Sequence, residues 1–343
     1  MRIGQRFAAA GAAIVMACGL GLAGCSSDEG GGTAAGPSTA TVQPEEGDFP
    51  VTIEHAFGET TVEEMPTRVV TLGETDEDAV LALGVVPVAI RPRFDSEFVE
   101  WQKPLAGDAE PVWLDDAEID IEKVAAVQPD LIVAMWSELS DEQFDKLSQI
   151  APTVTYQEGK GGWTQGWEDS TLMIGKALGQ PAKARELVDG IADRFAEIRE
   201  RHPEWQGKTV AVPTTDSGSI YAYTSGDPRG DFFTRLGFVI PPEIAAIDPD
   251  DHAPEISQEN AHLLDVDLLV WRGSIDECGP DYYDLPTINM LEVSKKGRSM
   301  CVQEVFGGDP TRMATLAFSS QTVLSLPFAL DAVEEPLTEI MGG

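Results

Sequence analysis

The chain has 343 residues, of which 59 are acidic and 23 basic, giving a formal net charge of -36, and 42% are hydrophobic. That apolar share is ordinary for a globular core, while a negative field of this size opposes binding to nucleic acid or to an anionic membrane surface. It excludes less about a small anionic ligand, because a few arginines inside a cleft dominate locally.

At the N-terminus Arg2 and Arg6 precede an apolar stretch over 7–22, the charged and hydrophobic regions of a secretory signal. That stretch is too short to span a bilayer, which takes about 20 apolar residues. It ends in Leu22-Ala23-Gly24-Cys25, which looks like the lipobox of bacterial lipoproteins. The likeness implies removal of 1–24 as a signal peptide and lipidation of Cys25. Residues 25–50 follow as a Gly-, Ser-, Thr-, Ala-, Pro- and acid-rich segment with too little apolar surface to fold, a flexible tether. The expected location is extracytoplasmic, on the outer face of the cytoplasmic membrane, with the lipid as the only membrane contact.

Beyond the tether roughly 290 residues remain, about two domains. Over 51–180, apolar runs bounded by turns predict strands at 68–72, 85–90, 131–136 and 153–156, with helices at 76–83 and 121–127 between them. This alternation argues for an α/β lobe with a mostly parallel sheet. The clearest helix covers 181–202: Pro181 suits a first turn, and Ala184, Leu187, Val188, Ile191, Phe195 and Ile198 keep the spacing of one buried face. Lys183, Arg185, Glu186, Asp189, Asp193, Arg194 and Glu197 occupy the other face, and His202-Pro203 ends the run. Over 203–343 a second series predicts strands at 209–213, 220–223 and 268–271 and helices at 231–236 and 258–264. The chain reads as lobe, long helix, lobe.

A local pattern recurs in both lobes. Glu122 is followed eight positions later by Asp130 and Leu131-Ile132-Val133, and Glu259 eight positions later by Asp267 and Leu268-Leu269-Val270. Each glutamate lies in the first turn of a predicted helix behind a candidate cap, Asp120 or Ser257, and each helix feeds a buried strand. Acids at helix starts offset the macrodipole, but two copies of one unit also place two carboxylates at equivalent points, which favours docking.

Of the 4 cysteines, Cys18 lies in the signal and Cys25 is the anchor, leaving Cys278 and Cys301. In an oxidising compartment that pair is expected to form a disulfide across 279–300. His55, His202, His252 and His262 are scattered, so no direct metal site is expected. The sequence lacks a Gly-x-Ser-x-Gly elbow, a phosphate-binding glycine loop and a nucleophilic cysteine with a partner histidine, which argues against an enzyme and for no cofactor. A secreted lipoprotein hydrolase is the competing class, and turnover without a transporter would separate the two.

Ligands of open α/β sheets sit beyond the carboxyl ends of strands. The residues there are Arg91 and Arg93, Trp136, Tyr221 and Tyr223, and Trp271 with Arg272. Guanidinium groups pair with carboxylate or catecholate oxygens and the rings offer flat apolar surface, a mixture suited to a large chelate that is anionic outside. Trp163 and Trp167 read as packing residues, and the glycine-rich loop at 159–162 is a further candidate for the cleft wall.

Several segments resemble the iron-siderophore and cobalamin group of periplasmic binding proteins. They are Met65-Pro66-Thr67-Arg68-Val69-Val70-Thr71-Leu72, Ala82-Leu83-Gly84-Val85-Val86-Pro87-Val88, Ile121-Glu122-Lys123-Val124 with Gln128-Pro129-Asp130-Leu131-Ile132, Leu236-Gly237-Phe238, Ile256-Ser257-Gln258-Glu259 and Ser325-Leu326-Pro327-Phe328-Ala329-Leu330. The resemblance implies two Rossmann-like lobes joined by a single long helix, with the ligand cleft between them and modest closure. It also implies that Glu122 and Glu259 pair with arginines of the two permease subunits of an ABC importer, which is driven by a cytoplasmic ATPase. The expected protein is a monomer carrying a ferric siderophore whose own atoms ligate the iron, with haem or cobalamin as the alternative cargo.

Overall fold

The short apolar runs become strands buried on both faces, as parallel sheets require. In the computed structural model, which describes residues 49–93, 96–115, 118–162, 164–249, 251–273, 285–308 and 313–342, the first sheet has five strands. They are β3 (Val69–Thr71), β4 (Ala89–Ile90), β5 (Val112–Trp113), β6 (Leu131–Ala134) and β7 (Thr153–Thr155), in the order β5-β4-β3-β6-β7 with every pairing parallel. The connecting helices are α1 (Asp76–Ala82), α2 (Lys103–Ala106), α3 (Ile121–Ala126), α4 (Asp141–Ser148) and α5 (Trp167–Ala177). The strand expected over 85–90 shortens to β4, because the turn after α1 occupies its first half: Gly84 has φ 87° and Val85 N–H closes back on the Val80 carbonyl. A hairpin absent from the sequence reading, β1 (Val51–His55) with β2 (Gly58–Val62), precedes this sheet.

Helix α6 (Pro181–Arg201) has 21 residues, about 30 Å of rise. Its buried residues divide between two cores: Ala184 joins that of the first lobe, and Val188, Ile191, Phe195 and Ile198 join that of the second. The helix is therefore a structural member of both lobes.

The second sheet comprises β8 (Val210–Asp216), β9 (Ser219–Tyr223), β10 (Leu268–Trp271) and β11 (Ser299–Cys301), in the order β11-β10-β8-β9. It departs from a wholly parallel lobe, since β8 and β9 form an antiparallel hairpin across Ser217-Gly218, both at positive φ. Helix α7 (Pro228–Arg235) starts three residues before the predicted 231, with Asp227 capping the Arg229 N–H and Pro228 in the first turn. The helix predicted over 258–264 is present as a 3-10 helix, Gln258–Leu264. Short helices α8 (Pro242–Ala245), α9 (Pro286–Asn289), α10 (Glu292–Lys295) and α11 (Val302–Val305) lead to α12 (Met313–Ser320) and α13 (Ser325–Gly342). Phe232, Phe233, Phe306 and Phe318 interlock at the centre of this lobe. All described residues belong to one compact unit.

Candidate functional site

The strand exits of both sheets bring arginines to the junction of the lobes. Arg93, past the end of β4, keeps 13% of its side chain exposed, with Nε 3.4 Å from Glu74 Oε2 and the guanidinium carbon 5.4 Å from the centre of a Trp136 ring. Its Nη1 donates to the Ser319 carbonyl in α12 at 3.2 Å, so it reaches into the second lobe. There Arg229, in the first turn of α7, is clasped by Asp227 through two bonds of 2.6 Å and lies 4.2 Å over the Tyr223 ring. Burial, helped by the charges of Arg229 and Arg272 and opposed by Glu74, pushes the Arg93 guanidinium down to about 10. Arg93 of the first lobe thus lies within the electrostatic reach of both Arg229 and Arg272 of the second, with flat rings behind Arg93 and Arg229. Such a cluster is poised to neutralise the carboxylate or phenolate oxygens of a chelate seated over it.

The sequence-predicted residues separate accordingly. Arg93, Trp136, Tyr223 and Arg272 belong to this region, and Arg229, which sequence reasoning missed, completes it. Its signal was Asp227-Pro228-Arg229 shortly after a strand: a capping residue, a first-turn proline and an arginine at a helix start. Trp271 is a correction. It is wholly buried in the second lobe, with Nε1 donating to Ser299 Oγ at 3.0 Å, and serves as core. Tyr223 is also nearly buried and acts as the platform under Arg229. Arg91 Nη1 donates to the Leu72 carbonyl at 3.3 Å, and Tyr221 stands half-buried on β9, bridged to Glu255. Trp167 is buried beneath Arg235, as expected of a packing residue. The loop candidate ends at Gly162, against the Ser137 backbone; Trp163 lies outside the described residues.

A second group was missed altogether. Asp76, Glu77 and Asp78, the first turn of α1, are all buried. Asp78 accepts from Trp101 Nε1 at 2.9 Å, from Gln102 Nε2 at 2.6 Å and from the Thr322 hydroxyl of the second lobe. Burial raises Asp76 and Asp78 from the usual carboxylate range to about 6 and raises Glu77 as well. Farther along the junction, Arg235 of α7 donates to both Glu168 oxygens of α5 at 2.7 and 2.9 Å, and Trp101 packs 5.6 Å from the Phe328 ring. A narrow crevice runs along this seam, lined by Glu74, Arg93, Trp101 and Gln102 on one side and Leu316 and Ser320 on the other.

The repeated motif resolves into two jobs. Asp130 accepts from Thr67 N–H, Thr67 Oγ1 and Arg68 N–H, and Asp267 accepts from Thr209 N–H and Oγ1. Each aspartate ties the start of one strand to the start of its neighbour. Glu122 and Glu259 remain exposed in the first turns of their helices. Asp120 caps its helix by accepting from Lys123 N–H, whereas Ser257 makes no side-chain cap.

Cys301 is buried and disulfide-bonded; Cys278, its expected partner, and Cys25 lie outside the described residues. Among the described residues no three His, Cys, Asp or Glu side chains form a group able to hold a metal ion, and no helix is long and apolar enough to cross a membrane.

Residues 69–298 match the family described as periplasmic binding protein. The Fe(3+)-citrate-binding protein YfmC of Bacillus subtilis is 27% identical over 262 residues, 75% of this chain and 76% of its own length. The crystal structure of a periplasmic solute binding protein from Mycobacterium smegmatis superimposes with a TM-score of 0.72 at 30% identity, covering 85% of this chain and 99% of that one. PiaA of Streptococcus pneumoniae, solved in complex with ferrichrome, gives a TM-score of 0.69 at 26% identity, covering 85% of this chain and 98% of its own.

Proposed function

Because the chain belongs to the periplasmic binding protein family, we propose that it captures an anionic ferric siderophore outside the cell and delivers it to the permease of an ABC importer. The carrying observation is the convergence of Arg93, Arg229 and Arg272 at the lobe junction, backed by Trp136 and Tyr223. Cationic groups of this kind in a chain of net charge -36 have a local purpose, because the overall field repels an anion. The relative named for ferric citrate is consistent with a carboxylate chelate. Iron is cargo in this reading and takes its ligands from the siderophore.

Delivery is assigned to Glu122 and Glu259. In a parallel βαβ unit, a helix that feeds the amino end of a strand starts at the carboxyl edge of the sheet. Glu122 starts such a helix between the parallel strands β5 and β6, and Glu259 starts the 3-10 helix that feeds β10, so each lobe offers one exposed carboxylate ahead of a buried strand. Exposed ion pairs contribute about 0–1 kcal/mol each, so two of them would orient docking on a permease dimer more than tighten it. Cys25 is assigned the lipid and Cys278 the disulfide to Cys301.

The test is quenching of tryptophan fluorescence in the purified chain by ferric citrate, ferric catecholates, ferrichrome, haem and cobalamin. An anionic ferric chelate should bind with Kd below about 1 μM, and Arg93→Ala or Arg272→Ala should weaken it while sparing neutral ferrichrome. Saturation by haem or cobalamin, with every ferric siderophore failing, would overturn the cargo.

A further inference from the structure

The first sheet reverses its winding between β3 and β6, the place where an open α/β sheet leaves a crevice at its carboxyl edge and where ligands of doubly wound folds settle. Here a side chain of the protein fills that crevice. Asp76 Oδ2 accepts the backbone N–H groups of Gly73 at 3.1 Å and Met135 at 2.8 Å, and Oδ1 accepts that of Trp136 at 3.2 Å. Gly73 follows from this: a Cβ there would lie 2.3 Å from the Asp76 oxygen. The Glu74 N–H, in turn, donates to the Trp136 carbonyl at 3.0 Å, so the turns leaving β3 and β6 are bolted together around one carboxylate.

Those two turns carry the supports of Arg93. Glu74 pairs with its Nε and Trp136 lies beneath its guanidinium. We propose that Asp76 is a positioning residue of the ligand site, fixing the Glu74 and Trp136 backbones so that Arg93 is held ready for an anionic cargo. The inference rests on the cargo reading above. Asp76 itself is 3% exposed and touches no cargo surface.

The three N–H donors favour the ionised carboxylate, a proton on either oxygen weakens their grip, and burial raises the ionisation to about 6 against their pull. The ionisable groups nearest it in the chain are Glu74, Glu77 and Asp78 on its own segment, and Arg93 from the β4 exit pairs with Glu74. From α5 it faces Ser170, Thr171 and Ile174, and from the turn between α12 and α13, Gln321 and Thr322, none of which titrates in this range. Acid should therefore unfasten the support of Arg93 while the cluster keeps its positive charge.

The experiment measures ferric citrate affinity of the full-length chain, wild type and Asp76→Asn, from about pH 7.5 to about pH 5. At the upper end the variant should bind about tenfold more weakly, and the variant-to-wild-type ratio should shrink toward one at the lower end, cancelling any pH effect on the chelate. A ratio that stays constant would mark general damage and overturn the proposal. If the variant does not fold, Arg93→Ala replaces it: the advantage of wild type over Arg93→Ala should fade in acid, and an undiminished advantage would overturn the role. Wild type that binds, and depends on Arg93 but not on Asp76, leaves the cargo reading intact and refutes this inference. If wild type binds no ferric citrate, the same comparison is made with the anionic ferric catecholate that it binds, and wild type that binds no anionic ferric chelate refutes the cargo assignment first.

Discussion

Breaking the pair between Glu168 and Arg235 should loosen the two lobes. Arg235 sits where α7 of the second lobe crosses α5 of the first, donates twice to Glu168 and once to Asp231, and covers the Trp167 and Phe195 rings. Burial works against its charge, but the two carboxylates outweigh burial and raise its pKa. In Arg235→Leu those carboxylates are left partly buried without a cation. Removing one partner of a fully buried pair costs about 3–5 kcal/mol, and the exposures of 26% and 32% reduce this to about 2–4 kcal/mol. For a body of this size each kcal/mol lowers Tm by about 2 °C, so a fall of about 4–8 °C is expected. The specific quantity is the coupling in a double-mutant cycle of Glu168→Gln with Arg235→Gln, read from urea melts. Two charge-assisted bonds in this setting predict about 1–2 kcal/mol. A coupling within about 0.3 kcal/mol of zero would refute the claim that this pair ties the lobes.

Burial raises Asp78 from 3.8 to about 6, so between those values the folded chain holds a proton that the unfolded chain has released. Its contribution to stability is present at acid pH and is lost as pH rises through 6; the stability of Asp78→Asn relative to wild type should therefore improve by up to about 3 kcal/mol from pH 4 to 7, and a difference flat with pH would contradict this. Phe195, 1% exposed and 5.6 Å from the Phe232 ring, should cost about 3–5 kcal/mol on truncation to alanine in a denaturant melt. Glu122→Ala combined with Glu259→Ala should abolish iron uptake in cells and leave cargo affinity unchanged; weakened cargo binding would return the glutamates to a purely helix-stabilising role.

Helix α6 was legible because the spacing of its apolar face survives any tertiary context, and β10 because four buried aliphatic and aromatic residues in a row between turns leave little choice. The repeat around Asp130 and Asp267 was legible as a pattern, while its use was not: the ties to Thr67 and Thr209 join positions far apart in the chain. Trp271 and Arg272 could not both face the cleft, since neighbours along a strand point to opposite sides; Trp271 took the core. Arg229 escaped notice because its helix begins earlier than the apolar pattern, at a proline and a cap. The three acids of α1 have the composition of an ordinary charged first turn, which offsets the macrodipole from the surface. Their burial is imposed in part by Thr322, 244 residues away, which no local window contains.

Those acids also bear on where the cargo sits. A doubly wound sheet presents backbone N–H groups at its switch point, and such sheets commonly spend them on a ligand anion. In this lobe Asp76 takes those donors, so the crevice is closed to an external anion. The cation for an anionic cargo must then be supplied higher up, by side chains that project beyond the plugged crevice. In the proposed site Arg93 is assigned this part from the first lobe, and Arg229 and Arg272 from the second. If the cargo binds as proposed, a site on the seam between two sheets engages both lobes at once, which is what the proposed docking of one glutamate per lobe requires of a carrier.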